Sequence, residues 1–145
     1  MKQRLILVFV LFVYCLILVK VMVFKDVPPI RIGSLILNFG GSQEGWANFL
    51  PFKTIFSYLT SDKGIIIAGI NLFGNVILLV PIGFLVSLIN RNLTWKNSLV
   101  LAIASGLVIE GTQVLLRLGI FDIDDVILNG LGVMGGYWVY KFFQK

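Results

Sequence analysis

Residues 109–132 read "IEGTQVLLRLGIFDIDDVILNGLG" and hold four of the chain's seven acidic residues, Glu110, Asp122, Asp124 and Asp125. On either side the sequence is oily enough to enter a bilayer, so the first question is which solvent surrounds these carboxylates. Across all 145 residues 58% of side chains are apolar and only 13% charged, with a mean hydropathy of +0.97. A soluble globular domain averages about 25% charged residues, so this composition is that of a membrane protein. Crossing roughly 30 Å of hydrocarbon takes about 20 helical residues. Four windows meet that length, residues 5–24, 64–89, 98–116 and 123–140. The expected fold is therefore all-α and integral to the membrane: a bundle of four transmembrane helices in a single domain over residues 1–145.

Lys2 and Arg4 before an apolar run also fit a signal peptide. No small-x-small cleavage site follows and the run is long for such a segment, so a permanent helix is expected. Cys15 is the only cysteine, which rules out an internal disulfide. The absence of histidine removes the commonest general base and the usual zinc or haem ligand.

Lys2, Arg4, Arg91, Lys96, Lys141 and Lys145 fall at one set of helix ends, and Lys25, Arg31, Lys53, Lys63 and Arg117 at the other. The first group is packed into far fewer residues. The positive-inside rule then places both termini in the cytoplasm of a multi-pass plasma-membrane protein. A net charge of +5 suits a cytoplasmic rim facing anionic lipid and calls for no nucleic-acid partner.

In this orientation the polar residues gather in the outer halves of their helices. Asn71 and Asn75 lie one turn apart on one face of the second helix. Gly106, Glu110, Gln113 and Arg117 follow i, i+4, i+7, i+11 along the third. Asp122, Asp125, Asn129, Gly132 and Gly136 make a matching stripe on the fourth. A carboxylate at mid-membrane costs about 2.5 to 3.5 kcal/mol on insertion scales, so the economical arrangement turns the stripes toward each other. Glu110 then meets a partner, with Arg117, Asn75 and Asn129 the candidates, and a polar pocket opens outward.

Simpler roles compete. Asp122 or Asp124 fits an N-cap, and the amides fit interhelical hydrogen bonding. Gly132 and Gly136 form a small-xxx-small pair for close helix packing, which also permits a homodimer. Neither capping nor packing asks for an ionisable group at Glu110, which favours a functional role there. Pro81 inside the second helix frees the carbonyl of Ile77 and bends the helix. Residues 89–97 form a basic inner turn with Trp95 at interface depth.

The outer loop, residues 25–63, is too long for a bare connection. Pro28 and Pro29 end the first helix, and Gly40, Gly41 and Gly45 around Ser42 mark a turn. From Pro51 onward Phe52, Ile55, Phe56 and Leu59 alternate at helical spacing with Lys53, Thr54, Ser57 and Thr60. That is an amphipathic helix lying in the interface and roofing the pocket, with Trp46 and Tyr58 in the same layer.

"NFLPF" at 48–52, "NLFGNVILLVPIGFL" at 71–85, "IEGTQ" at 109–113, Arg117 and "DIDDVILNGLG" at 122–132 resemble, in order, the motifs of the VanZ-like family of small membrane proteins. The resemblance covers roughly residues 48–136 and leaves out the first helix and residues 25–47. It carries over to Asn48, Pro51, Asn75, Pro81, Glu110, Gln113, Arg117, Asp122, Asp125 and Asn129. It implies a part in resistance to lipoglycopeptide antibiotics of the teicoplanin type, and names a phenotype without naming a reaction.

Two mechanisms follow. In the first, the pocket binds membrane lipid, a lipoglycopeptide, or a lipid-linked cell-wall polymer or precursor without turnover, through Asn48, Asn71, Asn75, Glu110, Gln113, Arg117, Asp122, Asp125 and Asn129. In the second, Glu110, Asp122 and Asp125 are catalytic acids or bases on a lipid-linked polyprenyl phosphate that Arg117 clamps. Paired carboxylates can also hold Mg2+, Mn2+ or Ca2+. The spacing assigns no metal ligand set, and the cofactor stays open.

Overall fold

The computed structural model describes residues 2–23, 30–32, 35–37, 47–60 and 65–144. The expected outer-loop features at Pro28, Pro29, Gly40, Gly41, Ser42, Gly45 and Trp46 lie outside the described residues, as do Lys25, Lys63 and the side chains of Arg31, Tyr58 and Asn71.

The first helix, α1, spans Lys2–Leu18 and widens into a π-helical turn over Val19–Val23. Two short strands follow, β1 (Ile30–Ile32) and β2 (Leu35–Leu37), paired antiparallel. Next come β3 (Ala47–Asn48), the short helix α2 (Lys53–Thr60) and the long helix α3 (Ile65–Ile89). The chain finishes with α4 (Trp95–Leu115), β4 (Phe121–Asp122) and α5 (Ile123–Phe143). The fold thus departs from all-α in its short strands, which lie outside the long helices; β3 pairs in parallel with β4.

The long helices match the four expected windows closely. Three segments, Lys2–Val23, Leu72–Ile89 and Trp95–Leu115, are long and apolar enough to cross a membrane. The fourth helix, α5, is as long as α4, but Asp124, Asp125, Asn129 and its glycines lower its apolar content. Nine of its residues are buried against five in α4, so α5 is the enclosed centre of the bundle.

The buried faces reverse the pattern of a soluble protein. On α4 the buried residues are Ser98, Ala102, Gly106, Glu110 and Gln113, whereas Val100 and Val108 on the far side are two-thirds exposed. Small and polar residues at helix contacts are what a bilayer favours, since lipid tails reward apolar side chains that point outward.

Glycines set how closely the helices approach. A Cβ on Gly132 would sit 2.2 Å from the carbonyl oxygen of Val76, and one on Gly136 would sit 1.9 Å from that of Val80. From the other side, a Cβ on Gly83 would lie 1.9 Å from the Val133 oxygen. These contacts rise together along both sequences, so α3 and α5 run parallel with their backbones touching. Gly132 and Gly136 therefore serve packing inside one chain, and any contact between copies would use other faces. Gly106 likewise brings α4 against Val126, while Gly130 lies beside Ala102 one turn deeper, which makes α4 antiparallel to α5.

Helix α3 continues as one element through Pro81. Proline removes the bond that would end on the Ile77 carbonyl. The adjoining carbonyl of Leu78 accepts a 2.7 Å hydrogen bond from the Tyr14 hydroxyl, which ties α1 to this weakened turn. About two turns further along, Gln113 Nε2 donates to the Met22 carbonyl in the π-helical turn. The C-terminal ends of α1 and α4 thus share one end of the bundle with the N-termini of α3 and α5.

Candidate functional site

The polar residues converge where α5 begins. Asp122 has extended backbone and is its N-cap: Oδ1 accepts the Asp124 N–H at 2.9 Å. The N–H of Asp122 is in turn held by Glu110 Oε2 at 3.0 Å. A capping box gives that second task to the carboxylate three residues after the cap, which here is Asp125. Asp125 instead accepts from Asn75 Nδ2 of α3 at 2.8 Å. The start of α5 is thus completed by an acid from α4, and its own acid is turned toward α3. Glu110, only 1% exposed, consequently has a capping role that local sequence does not offer it.

A second layer lies on top. The two-residue parallel pair sets Asn48 beside Asp122. Asn48 Nδ2 donates to Asp122 Oδ1 at 3.2 Å and to Thr54 Oγ1 at 2.9 Å, and the Thr54 hydroxyl donates to Asp122 Oδ2 at 2.5 Å. Asp124, fully buried, faces α2. Its Oδ1 accepts the Phe52 N–H at 2.5 Å, and its Oδ2 accepts those of Thr54 at 2.8 Å and Ile55 at 3.2 Å. A helix leaves its first N–H groups without internal partners, and this carboxylate supplies them for α2 from a distant part of the chain. It also holds Phe52 at φ 67°, a left-handed conformation unfavourable for a bulky residue.

Helix α2 is therefore clasped over the start of α5. Thr54 faces inward, and Phe52, Phe56 and Leu59 are exposed. Phe49 stacks at 5.3 Å on Phe121, next to the strand pair.

The structure brings Asn48, Asn75, Glu110, Asp122 and Asp125 together. Gln113 is buried and committed to Met22 through Nε2, while its Oε1 has no hydrogen-bond partner. Asn129 is fully buried one turn beyond Asp125, and neither amide atom is hydrogen-bonded. Of the partners expected for Glu110, Asn75 serves Asp125 and Asn129 is unbonded.

Arg117 departs from the helical stripe expected on α4. It does not extend the α4 stripe, because the helix stops before it. The Arg117 N–H bonds the Val114 carbonyl and the Leu118 N–H bonds that of Gln113, with Arg117 at φ 56°. This is the Schellman arrangement that usually places glycine at the left-handed position. The Arg117 side chain is exposed.

Thr54 and Asp124 were missing from the residues expected at the site. The only sequence signal was Asp124 as a possible cap of its own helix; Asp122 has that task, and Asp124 caps α2. Among the described residues no group of three or more acidic, histidine or cysteine side chains is arranged to hold a metal ion.

Long apolar helices around a buried, hydrogen-bonded set of carboxylates and amides at one bundle end define a helical membrane protein with a polar terminal cluster. Within that class the chain belongs to the VanZ/LLP1 family, whose profile matches residues 10–144. The match extends beyond the sequence motifs to take in most of the first helix and residues 25–47. No curated protein and no solved structure gives a significant match.

Proposed function

We propose that the chain crosses the plasma membrane four times with both termini in the cytoplasm, and that its polar cluster is an outward-facing pocket. The pocket binds a lipoglycopeptide of the teicoplanin type, or a lipid-linked cell-wall polymer or precursor, and lowers drug action without turnover. Family membership supports the link to resistance. The observation that carries the pocket is the meeting of Asn75, Glu110, Asp122 and Asp125, from α3, α4 and the start of α5, at a single end of the bundle. Carboxylates buried in a membrane bundle mark functional sites by default, since a bilayer makes them costly. Helix α2, with Thr54 turned inward and Phe52, Phe56 and Leu59 outward, suits a roof lying in the outer interface.

The enzymatic reading asks Arg117 to clamp a phosphate over the carboxylates. Its exposed place at the end of α4 gives that reading no support.

The test compares teicoplanin and vancomycin susceptibility of cells expressing the parent, Glu110→Gln or Asp125→Asn at matched levels. Both variants are expected to move teicoplanin susceptibility toward that of cells lacking the protein. Full protection by both at equal expression would show that the pocket is not the functional element.

A further inference from the structure

Among the described residues, two fully buried side chains have no hydrogen bond at all, the Ser98 hydroxyl near the start of α4 and the Asn129 amide, and only Asn129 lies beside the polar cluster. It lies between α3 and α4: Gly132, one turn on, touches Val76, and Val126, one turn back, touches Gly106. Side chains on a helix lean toward its N-terminus, so the amide is directed at the level of Asp125 and Asn75. A buried amide left without partners is destabilising by about 1–3 kcal/mol, and native structures carry few of them. Packing alone does not call for an amide, because leucine branches at the same carbon and has the same number of side-chain heavy atoms.

Resting on the pocket reading, we propose that Asn129 is the floor of the site and that its amide binds a neutral group carrying both a donor and an acceptor, a sugar hydroxyl or an amide. An amide offers two N–H donors and one carbonyl acceptor. A hydroxyl or a second amide satisfies both kinds. A phosphate satisfies only the donors and sets a negative charge one turn from Asp125. The class resembles the contacts already made in the cluster, where the uncharged amides of Asn48 and Asn75 and the Thr54 hydroxyl hydrogen-bond to their neighbours. The sugar could be free or borne on a lipid.

The experiment uses the full chain purified in detergent, as parent, Asn129→Leu and Glu110→Gln, followed by thermal unfolding. Three probes are added separately: N-acetylglucosamine, its octyl glycoside, and octyl phosphate. Without probe, Asn129→Leu is expected to unfold about 3 °C or more above the parent, since an unbonded buried amide has been removed. The octyl glycoside is expected to raise the parent's midpoint and leave that of Asn129→Leu unmoved, with octyl phosphate inactive. A shift with the free sugar as large as with the glycoside identifies a soluble ligand; a shift with the glycoside alone identifies a lipid-borne one. Three results overturn the proposal: no shift of the parent with either sugar, an equal shift with octyl phosphate, or a less stable Asn129→Leu that keeps the parent's shift. If Asn129→Leu keeps the shift and Glu110→Gln loses it, the pocket stands and only its floor is misassigned. If both keep it, the pocket reading fails as well.

Discussion

Asp124 and Thr54 stand 70 residues apart in the chain, yet the carboxylate of one accepts the backbone N–H of the other at 2.8 Å. With Phe52 and Ile55 on the same carboxylate, a single residue of α5 terminates a different helix and fixes it over the site.

Replacing that carboxylate should free α2. Hydrogen bonds to a charged group contribute roughly 1.5–3 kcal/mol each, and Asp124→Ala removes three acceptor contacts at once. Hydrogen exchange at the amides of Phe52, Thr54 and Ile55 should accelerate by roughly 10- to 100-fold, while the middle of α4 keeps its protection. Unchanged exchange at these three amides would mean that α2 is held by something else.

The α3–α5 contact should be intolerant of a methyl group. A Cβ at Gly136 would meet backbone, with the Val80 oxygen 1.9 Å away, whereas one at Gly111 meets nothing within 4 Å. Gly136→Ala should lose about 1–3 kcal/mol or more by forcing the helices apart. Gly111→Ala should be neutral or gain up to about 1 kcal/mol from reduced backbone freedom. Thermal midpoints of the two purified variants decide the matter, and equal midpoints would refute the close approach.

Arg117→Gly should stabilise the protein by about 1 kcal/mol, because glycine adopts the left-handed position at the end of α4 without steric cost. Since the Arg117 side chain is exposed, teicoplanin susceptibility should stay at the parent's level. A loss of protection in this stabilised variant would return Arg117 to the site.

The helices and the gathering of their polar residues toward one end were legible because both are local. Twenty apolar residues define a span wherever they occur, and Glu110, Gln113, Asp122, Asp125 and Asn129 share faces through the 3.6-residue turn alone. The resemblance of "IEGTQ" and "DIDDVILNGLG" to one family's motifs was legible for the same reason, and the family match over residues 10–144 agrees with it.

Partner choice was not legible, since it depends on register between elements far apart in sequence. The helical spacing that put Arg117 on the stripe of Glu110 assumed that α4 continues, and α4 ends one residue before Arg117, at its C-cap Leu116. Asp122 and Asp124 are equivalent as caps by sequence; the parallel pairing of Asn48 with Asp122 leaves Asp124 aimed at α2. The sequence by itself determined a membrane bundle with its polar groups at one end. Only the tertiary structure decided which carboxylate holds which helix, because in a low-dielectric interior an unpaired buried donor is costly and the relative shift of two helices selects the acceptor it can reach.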